Sequence, residues 1–418
     1  MHFFEYRDQE LYCEDSRISE IAREIKTPFY LYSCATLERH FRVFNEAFSG
    51  IDHITCFSMK SNSNGAILRL FSNAGGGVDI VSGGELFRAL KAGVNPDKIV
   101  YSGVGKTAAE IEYALKAGIL MFNAESPQEI IRLNEVAGSM GKKARIAIRV
   151  NPDVDPQTHP YISTGLKENK FGIDIIKSFD EYVKASKMDN IEVTGVSCHI
   201  GSQLTKVSPF VDALRKVKEL IARLDAAGIK IKNLDLGGGL GVTYNDEKPP
   251  LPEEYAAALK ETLGDMDLTL ILEPGRVIMA NSGVLVAKVL YTKANEDKNF
   301  AVVDAAMNDL ARPSLYGSYH SIKPVKMEST DIINIDIVGP ICESGDFLAK
   351  NREMPSLKQG DLIAVMSAGA YGFSMSSTYN SRPRVAEIMV KGDKYYRIRE
   401  RETYEDLVKG EIIPEFLK

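Results

Sequence analysis

Residues 77–150 read GVDIVSGGELFRALKAGVNPDKIVYSGVGKTAAEIEYALKAGILMFNAESPQEIIRLNEVAGSMGKKARIAIRV, and this stretch decides the fold. Short β-branched runs, such as KIVYS at 98–102 and ARIAIRV at 144–150, alternate with amphipathic segments such as ELFRALKAG at 85–93. Runs that are apolar almost throughout are typical of parallel strands buried on both faces. The stretch therefore predicts repeated strand–helix units.

The same alternation continues on both sides of this stretch. Eight runs are predicted as strands: 54–59, 77–81, 98–102, 119–123, 144–150, 193–200, 231–236 and 268–273. Eight strand–helix units within about 230 residues are the count of a (β/α)8 barrel. An open doubly wound sheet tolerates the same alternation, but eight regular units favour closure.

Local signals mark the ends of the helices between these strands. Capping-box patterns of the form S/T-x-x-E begin at Ser82, Thr107, Ser126 and Ser178, and Pro127 follows the third. Ala-Gly pairs that suit left-handed helix ends lie at 92–93, 117–118, 137–138 and 227–228.

The pattern changes after about residue 280, where strand-like runs follow one another without long helices. These runs are 284–291, 300–303, 332–338, 362–366 and 384–390, and KGDK at 391–394 predicts a hairpin to 395–399. The N-terminal FFEYRDQELYC at 3–13 is also strand-like. We therefore expect a barrel over 30–280 and a mostly antiparallel β domain built from 1–29 and 281–418.

Composition excludes several classes of protein. The 418 residues include 51 Lys and Arg against 57 Asp and Glu, a net charge of −6, which argues against a nucleic-acid binder. The five cysteines, at 13, 34, 56, 198 and 342, form no C-x-x-C motif, as expected in a reducing compartment. No secretory signal and no apolar run near 18 residues is visible. We expect a cytoplasmic protein that binds neither membrane nor nucleic acid.

Catalytic groups of such barrels lie at the carboxyl ends of the strands. This rule selects Lys60, Asp79, Arg149, His199, the glycine run 237–241, and EPGR at 273–276. Each has a plainer interpretation: Lys60 as a solvated charge, His199 as a core histidine, and Asp79 with Arg149 as a structural ion pair. Cys198 is interpreted as packed core.

The combination of these groups is what points to chemistry. A lysine can hold pyridoxal phosphate as a Schiff base, and a glycine-rich turn can hold the phosphate. A carboxylate paired with the pyridinium nitrogen keeps the ring protonated, and Glu273 suits that role. No metal site is predicted.

The chain also resembles the fold-type III pyridoxal-phosphate-dependent decarboxylases over nearly its whole length, and most closely the branch that acts on diaminopimelate. In the barrel the matching motifs are MKSN at 59–62, GGGVDIVSGGE at 75–85, RVNPDVDPQTHPYISTG at 149–165, KFG at 170–172, HIGSQ at 199–203, LGGGLG at 236–241 and EPGR at 273–276. In the β domain they are VDAAMNDLARPSLY at 303–316, GPICESGD at 339–346 and SAGAYG at 367–372. One departure is FSMKSN at 57–62, where the family usually shows Y-A-x-K-A-N.

The resemblance implies a role for each matching residue. Lys60 would carry the cofactor, His199 would stack on its ring, and Glu273 would hold the pyridinium nitrogen. The other cofactor contacts implied are Asp79, Ser202, Gly238, Gly239, Gly275, Arg276 and Tyr371. The substrate contacts implied are Arg276, Arg312, Tyr316, Glu343 and Tyr371, with Cys342 as the proton donor.

The resemblance also implies a reaction and an assembly. The reaction removes carbon dioxide from the D centre of meso-diaminopimelate and gives L-lysine, the last step of bacterial-type lysine biosynthesis. The family acts as a homodimer with active sites shared at the interface.

Three alternatives remain at this stage. A decarboxylase of ornithine, arginine or carboxynorspermidine is the nearest, but Arg312 and Glu343 suit the distal amino-acid head of diaminopimelate. Gln203 and THPYISTG at 158–165 also favour the diaminopimelate branch. A racemase pairs the ring nitrogen with arginine, whereas Glu273 does the opposite. A non-enzymatic pyridoxal-phosphate carrier would need only the barrel, so the β domain argues against it.

Overall fold

The computed structural model describes residues 2–155, 170–296 and 298–418. The chain divides into two units, which we call the barrel unit (Glu38–Ile278) and the β unit (Met1–Leu37 with Met279–Lys418). The first boundary therefore falls near residue 37 and not at the predicted residue 30. The reason is that the buried segment Phe29–Ser33 pairs with strands Gly283–Ala294 and Ala386–Lys391 of the β unit.

The N-terminal segment forms a small antiparallel sheet and then joins the large sheet of the β unit. Its elements are β1 (Phe4–Arg7), β2 (Glu10–Cys13), β3 (Ser16–Arg17), α1 (Ile18–Ile25), β4 (Phe29–Ser33) and α2 (Cys34–Ala47). The strand-like stretch 3–13 thus forms the β1–β2 hairpin of a separate three-stranded sheet.

The barrel unit contains the eight predicted strands, all parallel. They are β5 (His53–Ser58), β6 (Gly77–Ile80), β7 (Ile99–Tyr101), β8 (Met121–Ala124), β9 (Ala144–Asn151), β11 (Ile191–Ser197), β12 (Asn233–Asp235) and β13 (Thr269–Leu272), with the short β10 (Ile173–Asp174) beside β9. Strand β13 pairs with β5 and β8 pairs with β9, so the sheet closes on itself. Closure confirms the barrel and excludes the open sheet.

Helices follow the strands in the order expected. They are α3 (Gly65–Asn73), α4 (Gly83–Lys91), α5 (Ala108–Ala117), α6 (Pro127–Ser139), α7 (Ile175–Ala185), α8 (Ser208–Ala226), α9 (Pro252–Leu263) and α10 (Arg276–Met279). The barrel interior is packed with apolar side chains, including Cys56, Val100, Met121, Ala147 and Ile271. Chemistry is therefore confined to the rim.

Three of the four predicted capping patterns place the N-cap residue correctly, and the reciprocal capping box is complete at Thr107. The side chains of Ser82, Thr107 and Ser126 each accept the backbone N–H three residues on. The pattern at Ser178 is wrong: this residue lies inside α7, and Asp174 caps the helix by accepting the Ile176 N–H. Ser178 instead donates its hydroxyl to the Ile175 carbonyl oxygen at 2.7 Å, within the helix.

The predicted Ala-Gly helix ends behave in the same way. Gly118 takes the left-handed conformation at the end of α5, with φ 72°, and residues 93 and 228 also have positive φ. Gly138 is the exception, because α6 continues through it to Ser139 and the chain turns at Gly141.

The C-terminal part of the β unit carries a large mixed sheet. Its elements are β14 (Gly283–Ala294), β15 (Asn299–Val303), α11 (Arg312–Tyr316), β16 (Ile322–Pro324), β17 (Ile332–Val338), β18 (Phe347–Pro355), β19 (Leu362–Val365), β20 (Ala386–Lys391), β21 (Lys394–Arg399) and α12 (Tyr404–Leu407). The main order is β18-β17-β15-β14-β4-β20-β21, with β19 and β16 added beside β14. Pairing is antiparallel except for β15–β17 and β4–β20, so the predicted mostly antiparallel domain is confirmed.

No helix in the described parts of the chain is both long enough and apolar enough to cross a membrane.

Candidate active site

Lys60 begins the site, in a short turn directly after β5. Its ammonium lies 3.0 Å from Oδ2 of Asp79, the third residue of the neighbouring strand β6. Ser58 donates to the same oxygen at 2.7 Å. Asp79 is fully buried, whereas the Lys60 side chain is 38% exposed. Burial holds the carboxylate in place, and the amine keeps access to the rim.

An acidic pair lies on the same rim, at the ends of β12 and of β13, the strand that pairs with β5. Asp235 ends β12, Glu273 follows β13, and both are buried. Asn123 of β8 donates to Asp235 Oδ2 at 2.7 Å, and its Nδ2 lies 3.5 Å from Glu273 Oε1. Ser102 donates to the same Glu273 oxygen at 3.3 Å. Four strands thus contribute to one polar cluster.

Burial dominates the electrostatics of this pair. Desolvation, reinforced by the charges of Asp235 and Asp79, raises the pKa of Glu273 well above its ordinary value. Desolvation also raises the pKa of Asp235, although the hydrogen bond from Asn123 opposes the change. The cluster therefore stabilises a cationic group bound beside the two carboxyl groups, or a proton held by one of them.

His199 lies two residues beyond the end of β11, on the same rim. Its Nδ1 accepts the Gly238 N–H at 3.2 Å, which leaves the ring proton on Nε2. Burial, together with the charges of Arg149 and Lys60, lowers the pKa of the ring well below its ordinary value. His199 is therefore a neutral imidazole with one fixed tautomer.

Arg276 and the glycine turns form a donor-rich corner. The Arg276 guanidinium donates to Ser202 Oγ at 3.2 and 3.3 Å and to Tyr244 Oη at 2.8 Å. At Gly238 a side chain is excluded, because a Cβ atom would lie 2.2 Å from the Glu273 carbonyl oxygen. Gly239 has φ 121°, and a Cβ at Gly275 would lie 3.1 Å from Ser58 Cβ. Backbone N–H groups can therefore approach a bound anion closely here.

Arg149 forms a structural ion pair, but its partner is not Asp79. It donates to Glu125 Oε1 at 2.8 Å, and both side chains are buried. The other Glu125 oxygen accepts the Gly172 N–H at 2.8 Å, and Arg149 lies over the Phe171 ring. The Asp79–Arg149 ion pair is wrong, since Asp79 pairs with Lys60 and Arg149 fixes the 170–172 segment.

The predicted substrate residues of the β unit divide into a buried and an exposed set. Arg312 is buried, and its Nη1 lies 2.9 Å from His320 Nε2, while His320 Nδ1 donates to the Met366 carbonyl oxygen. Tyr316 ends the short helix α11 and is half-buried. Tyr371 is half-buried and has φ 56°.

Cys342 and Glu343 are exposed in the loop between β17 and β18. Asp346, in the same loop, is buried although it is a carboxylate. Its carboxylate accepts the N–H groups of Met307 and Ile341, both at 2.7 Å. This carboxylate holds the loop in shape, so Cys342 is presented at the surface of the β unit.

Sequence reasoning missed several polar residues of the rim, notably Asn123, Asp235, Ser102 and Glu125. Each lies at or just after a strand end, within apolar runs such as LMFNAE at 120–125 and NLDL at 233–236. A polar side chain inside such a run was the available signal. Of the motifs cited above, THPYISTG at 158–165 lies outside the described residues.

The donor set fits pyridoxal phosphate. The Lys60 amine and the acidic pair suit the two ends of a pyridoxal ring, and the Arg276 corner suits a phosphate. Among the described residues, Asp79 Oδ1 is buried without a hydrogen-bond partner, so the rim also has an acceptor available.

Comparisons with known proteins agree with this chemistry. Residues 34–280 match the family model for the pyridoxal-dependent decarboxylase, pyridoxal binding domain. The chain is 52% identical to diaminopimelate decarboxylase of Pseudomonas aeruginosa, over 98% of this chain and 99% of that protein. It is 50% identical to that of Aquifex aeolicus, over 97% of each chain.

Solved structures give the same result. Diaminopimelate decarboxylase from Helicobacter pylori complexed with L-lysine matches with a TM-score of 0.91 and 46% identity, covering 94% of this chain and 98% of that chain. The lysine/ornithine decarboxylase from Vibrio vulnificus, at 22% identity and a TM-score of 0.79 over 90% of this chain and 97% of that chain, shares the fold.

Proposed function

The chain belongs to the diaminopimelate decarboxylase family of pyridoxal-dependent decarboxylases, and we propose that the barrel rim around Lys60 is where it acts. The protein is a carboxy-lyase that converts meso-diaminopimelate to L-lysine and carbon dioxide. The observation that supports this site best is the Lys60 amine 3.0 Å from buried Asp79, on the rim that also carries Glu273.

In this proposal pyridoxal 5′-phosphate is held by residues of the barrel. Lys60 holds it covalently, His199 packs against the ring, and Glu273 pairs with the ring nitrogen. The phosphate is held by backbone and side-chain donors of Ser202, Gly238, Gly239, Gly275 and Arg276. When bound, the cofactor supplies an electron sink for the electron pair left by the departing carboxylate.

The protein groups then have separable tasks. The neutral His199 adds no charge above the ring, because its fixed tautomer and lowered pKa keep it unprotonated near pH 7. The acidic cluster favours a cationic ring nitrogen, since Glu273 and Asp235 lie together in a desolvated place. Lys60 would hold the cofactor and would give it up to the substrate amine, whereas delivery of the proton to the reacting carbon is assigned to Cys342.

Substrate recognition is proposed for the residues that the resemblance implies. Arg276 and Arg312 are cations suited to carboxylates, and Glu343 is an anion suited to the distal ammonium group. Tyr316 and Tyr371 complete the set, with Tyr371 also contacting the cofactor. Cys342 is the proposed proton donor.

The proposal includes a homodimer in the cytoplasm, with each active site shared between two subunits. Two observations support the shared site: the GPICESGD motif resembles that of the family, and Cys342 is exposed. Lys60→Ala and Cys342→Ala homodimers should each be nearly inactive. After random reassembly, half the dimers are mixed and carry one intact site, so activity should recover to about a quarter of wild type. Verified subunit exchange without recovery would contradict a shared site.

The function is tested by measuring carbon dioxide release from the cofactor-loaded protein. Meso-diaminopimelate, ornithine, arginine and lysine are supplied separately. Release from meso-diaminopimelate alone, with L-lysine formed in equal amount, is expected. Faster release from ornithine or arginine would contradict the assignment of substrate.

A further inference from the structure

Asp235 has a position that the roles above leave unused. It is fully buried at the end of β12. Its Oδ1 accepts the Gly237 N–H at 2.8 Å, while the Gly237 carbonyl oxygen accepts the Glu273 N–H at 2.8 Å. The N–H group and the carbonyl oxygen of Gly237 therefore link the Asp235 side chain to the Glu273 backbone. A side chain at Gly237 is excluded, because its Cβ would lie 2.6 Å from His199 Nδ1.

The two side chains are also brought together by one donor. Nδ2 of Asn123 lies 2.7 Å from Asp235 Oδ2 and 3.5 Å from Glu273 Oε1, so the two buried carboxyl groups are neighbours. Two ionised carboxylates that are close together and removed from water repel each other, so one of them takes up a proton and becomes a donor to the other. Asn123 donates to Asp235 and Ser102 donates to Glu273, so the remaining lone pairs are partly satisfied. The pair therefore holds one proton between its two groups.

Other ionisable groups surround the pair. Asp79 of β6 adds negative charge, and Lys60 after β5 opposes it. Arg149 is paired with Glu125, and His199 is neutral. The remaining titratable neighbours are the buried Cys56, Cys198 and Tyr255, and burial raises the pKa of each. None of these three carries charge near neutral pH, so Asp79 and Lys60 are the principal charges acting on the shared proton.

We infer that Asp235 is a positioning residue that shares one proton with Glu273 and takes that proton up when Glu273 ionises. In this exchange the O–H bond of Glu273 breaks and an O–H bond to Asp235 forms within the same hydrogen bond, so no outside acid or base is needed. Asp235 then donates back to the Glu273 carboxylate and keeps it directed at a cationic ring nitrogen. The role of Asp235 in directing Glu273 at the ring nitrogen rests on the proposed function. The sharing of one proton between the two carboxyl groups does not.

The proton sharing is tested on the protein without cofactor, by infrared spectroscopy in H2O and D2O across a pH series. A protonated buried carboxyl group gives a carbonyl band that shifts in D2O, and E273Q should remove the band of the pair. D235N removes the neighbouring negative charge, so the band should titrate at least about one pH unit lower than in wild type. N123A removes a donor that favours ionised Asp235, so the band should titrate at higher pH.

Asp309 of the β unit provides the matched control. Burial raises its pKa to about 7, so D309N should remove a different carboxyl band and leave that of the pair unchanged. Survival of the assigned band in E273Q would overturn the inference. An unchanged midpoint in both folded D235N and N123A would also overturn it.

Kinetics of the cofactor-loaded enzyme distinguish a positioning role of Asp235 from a merely structural one. With a one-unit change in proton affinity, D235N should lower kcat about tenfold with little change in KM. The D235N/E273Q double variant should be no slower than E273Q, because both changes break the same pair. Additive losses would contradict the coupling. If neither the wild type nor any variant acts on diaminopimelate, the proposed function fails. The infrared measurement still decides whether Asp235 and Glu273 share a proton.

Discussion

At the residue scale, Glu273 gives the sharpest prediction. E273Q keeps the volume and the contact with Ser102 but cannot favour a protonated ring nitrogen. We expect kcat to fall about 100-fold or more, and KM to change much less. Steady-state kinetics with meso-diaminopimelate, with E112Q on the exposed face of α5 as control, measure the difference. Unchanged turnover would show that Glu273 is structural.

The sequence alone placed four polar residues of the candidate site on one rim, and it did so for a definite reason. Lys60, Asp79, His199 and Glu273 lie within two residues of strand ends, and parallel strands of a barrel bring those ends to one rim. The partners of those residues could not be chosen in the same way. Pairing of Arg149 with Glu125 depends on which neighbouring strand end is nearer, and only the coordinates show that.

The role of Asp235 escaped sequence reasoning for a different reason. A single acidic residue in NLDL at 233–236 does not reveal which way its side chain faces. Its hydrogen bonds run to Asn123, 112 positions away, and to Gly237 in its own turn, and no local pattern reports the former. Loop residues such as Asp346 are similar, because their burial depends on backbone N–H groups brought from a distant segment.

At the element scale, Tyr182 links helix α7 to two barrel strands. Its hydroxyl lies 2.9 Å from the Gly195 carbonyl oxygen of β11 and accepts the Ile148 N–H of β9 at 3.3 Å. Strand β11 has a register shift between Val193 and Gly195, so this hydroxyl satisfies backbone groups at an irregular point.

Y182F should therefore destabilise the barrel by about 1–3 kcal/mol, because it leaves buried backbone groups without their partner. Urea unfolding measures the change, and Y404F, at a residue that is 76% exposed, is the control. Equal midpoints for Y182F and wild type would show that the hydroxyl contributes nothing.

The positions of strands and helices were predicted best where a single sequence pattern covers the whole element. Continuous apolar runs located all eight barrel strands to within two or three residues. Strand β18 was missed because FLAKNREMP carries three charged residues and its exposed positions do not alternate regularly. Ser178 was misplaced because a capping pattern is short and also occurs inside helices.

At the scale of the whole molecule, stability should depend on pH through buried carboxyl groups such as Asp309. Burial raises its folded-state pKa to about 7 from the ordinary 3.8. Between these values the folded protein binds the proton and the unfolded chain does not, so stability falls as pH rises from about 4 through about 7.

D309N cannot titrate, and its amide oxygen can still accept the Ala306 N–H that Asp309 accepts at 2.9 Å. Urea midpoints of the cofactor-free protein should therefore fall less steeply with pH in D309N than in wild type. E112Q, on the exposed face of α5, should follow the wild-type slope. Parallel slopes for D309N and wild type would contradict the raised pKa.

The division of the chain was predicted less well than its elements. The change from strand–helix units to strands is visible in sequence near residue 280 and marks the second boundary closely. The first boundary was misplaced because FYLYS at 29–33 is as apolar as a barrel strand. Its partners lie more than 250 residues away, in β14 and β20.

Lys60 on the barrel rim is the proposed carrier of the cofactor, and its chemical identification decides whether the rim is the active site. The most direct measurement is borohydride reduction of the active, loaded enzyme, followed by proteolysis and mass spectrometry of every lysine peptide. We predict the cofactor mass on Lys60, and its loss in K60A but not in K116A, a lysine on the exposed face of α5. Recovery of the cofactor on any other lysine, such as the buried Lys106 that pairs with Glu129, would contradict the account.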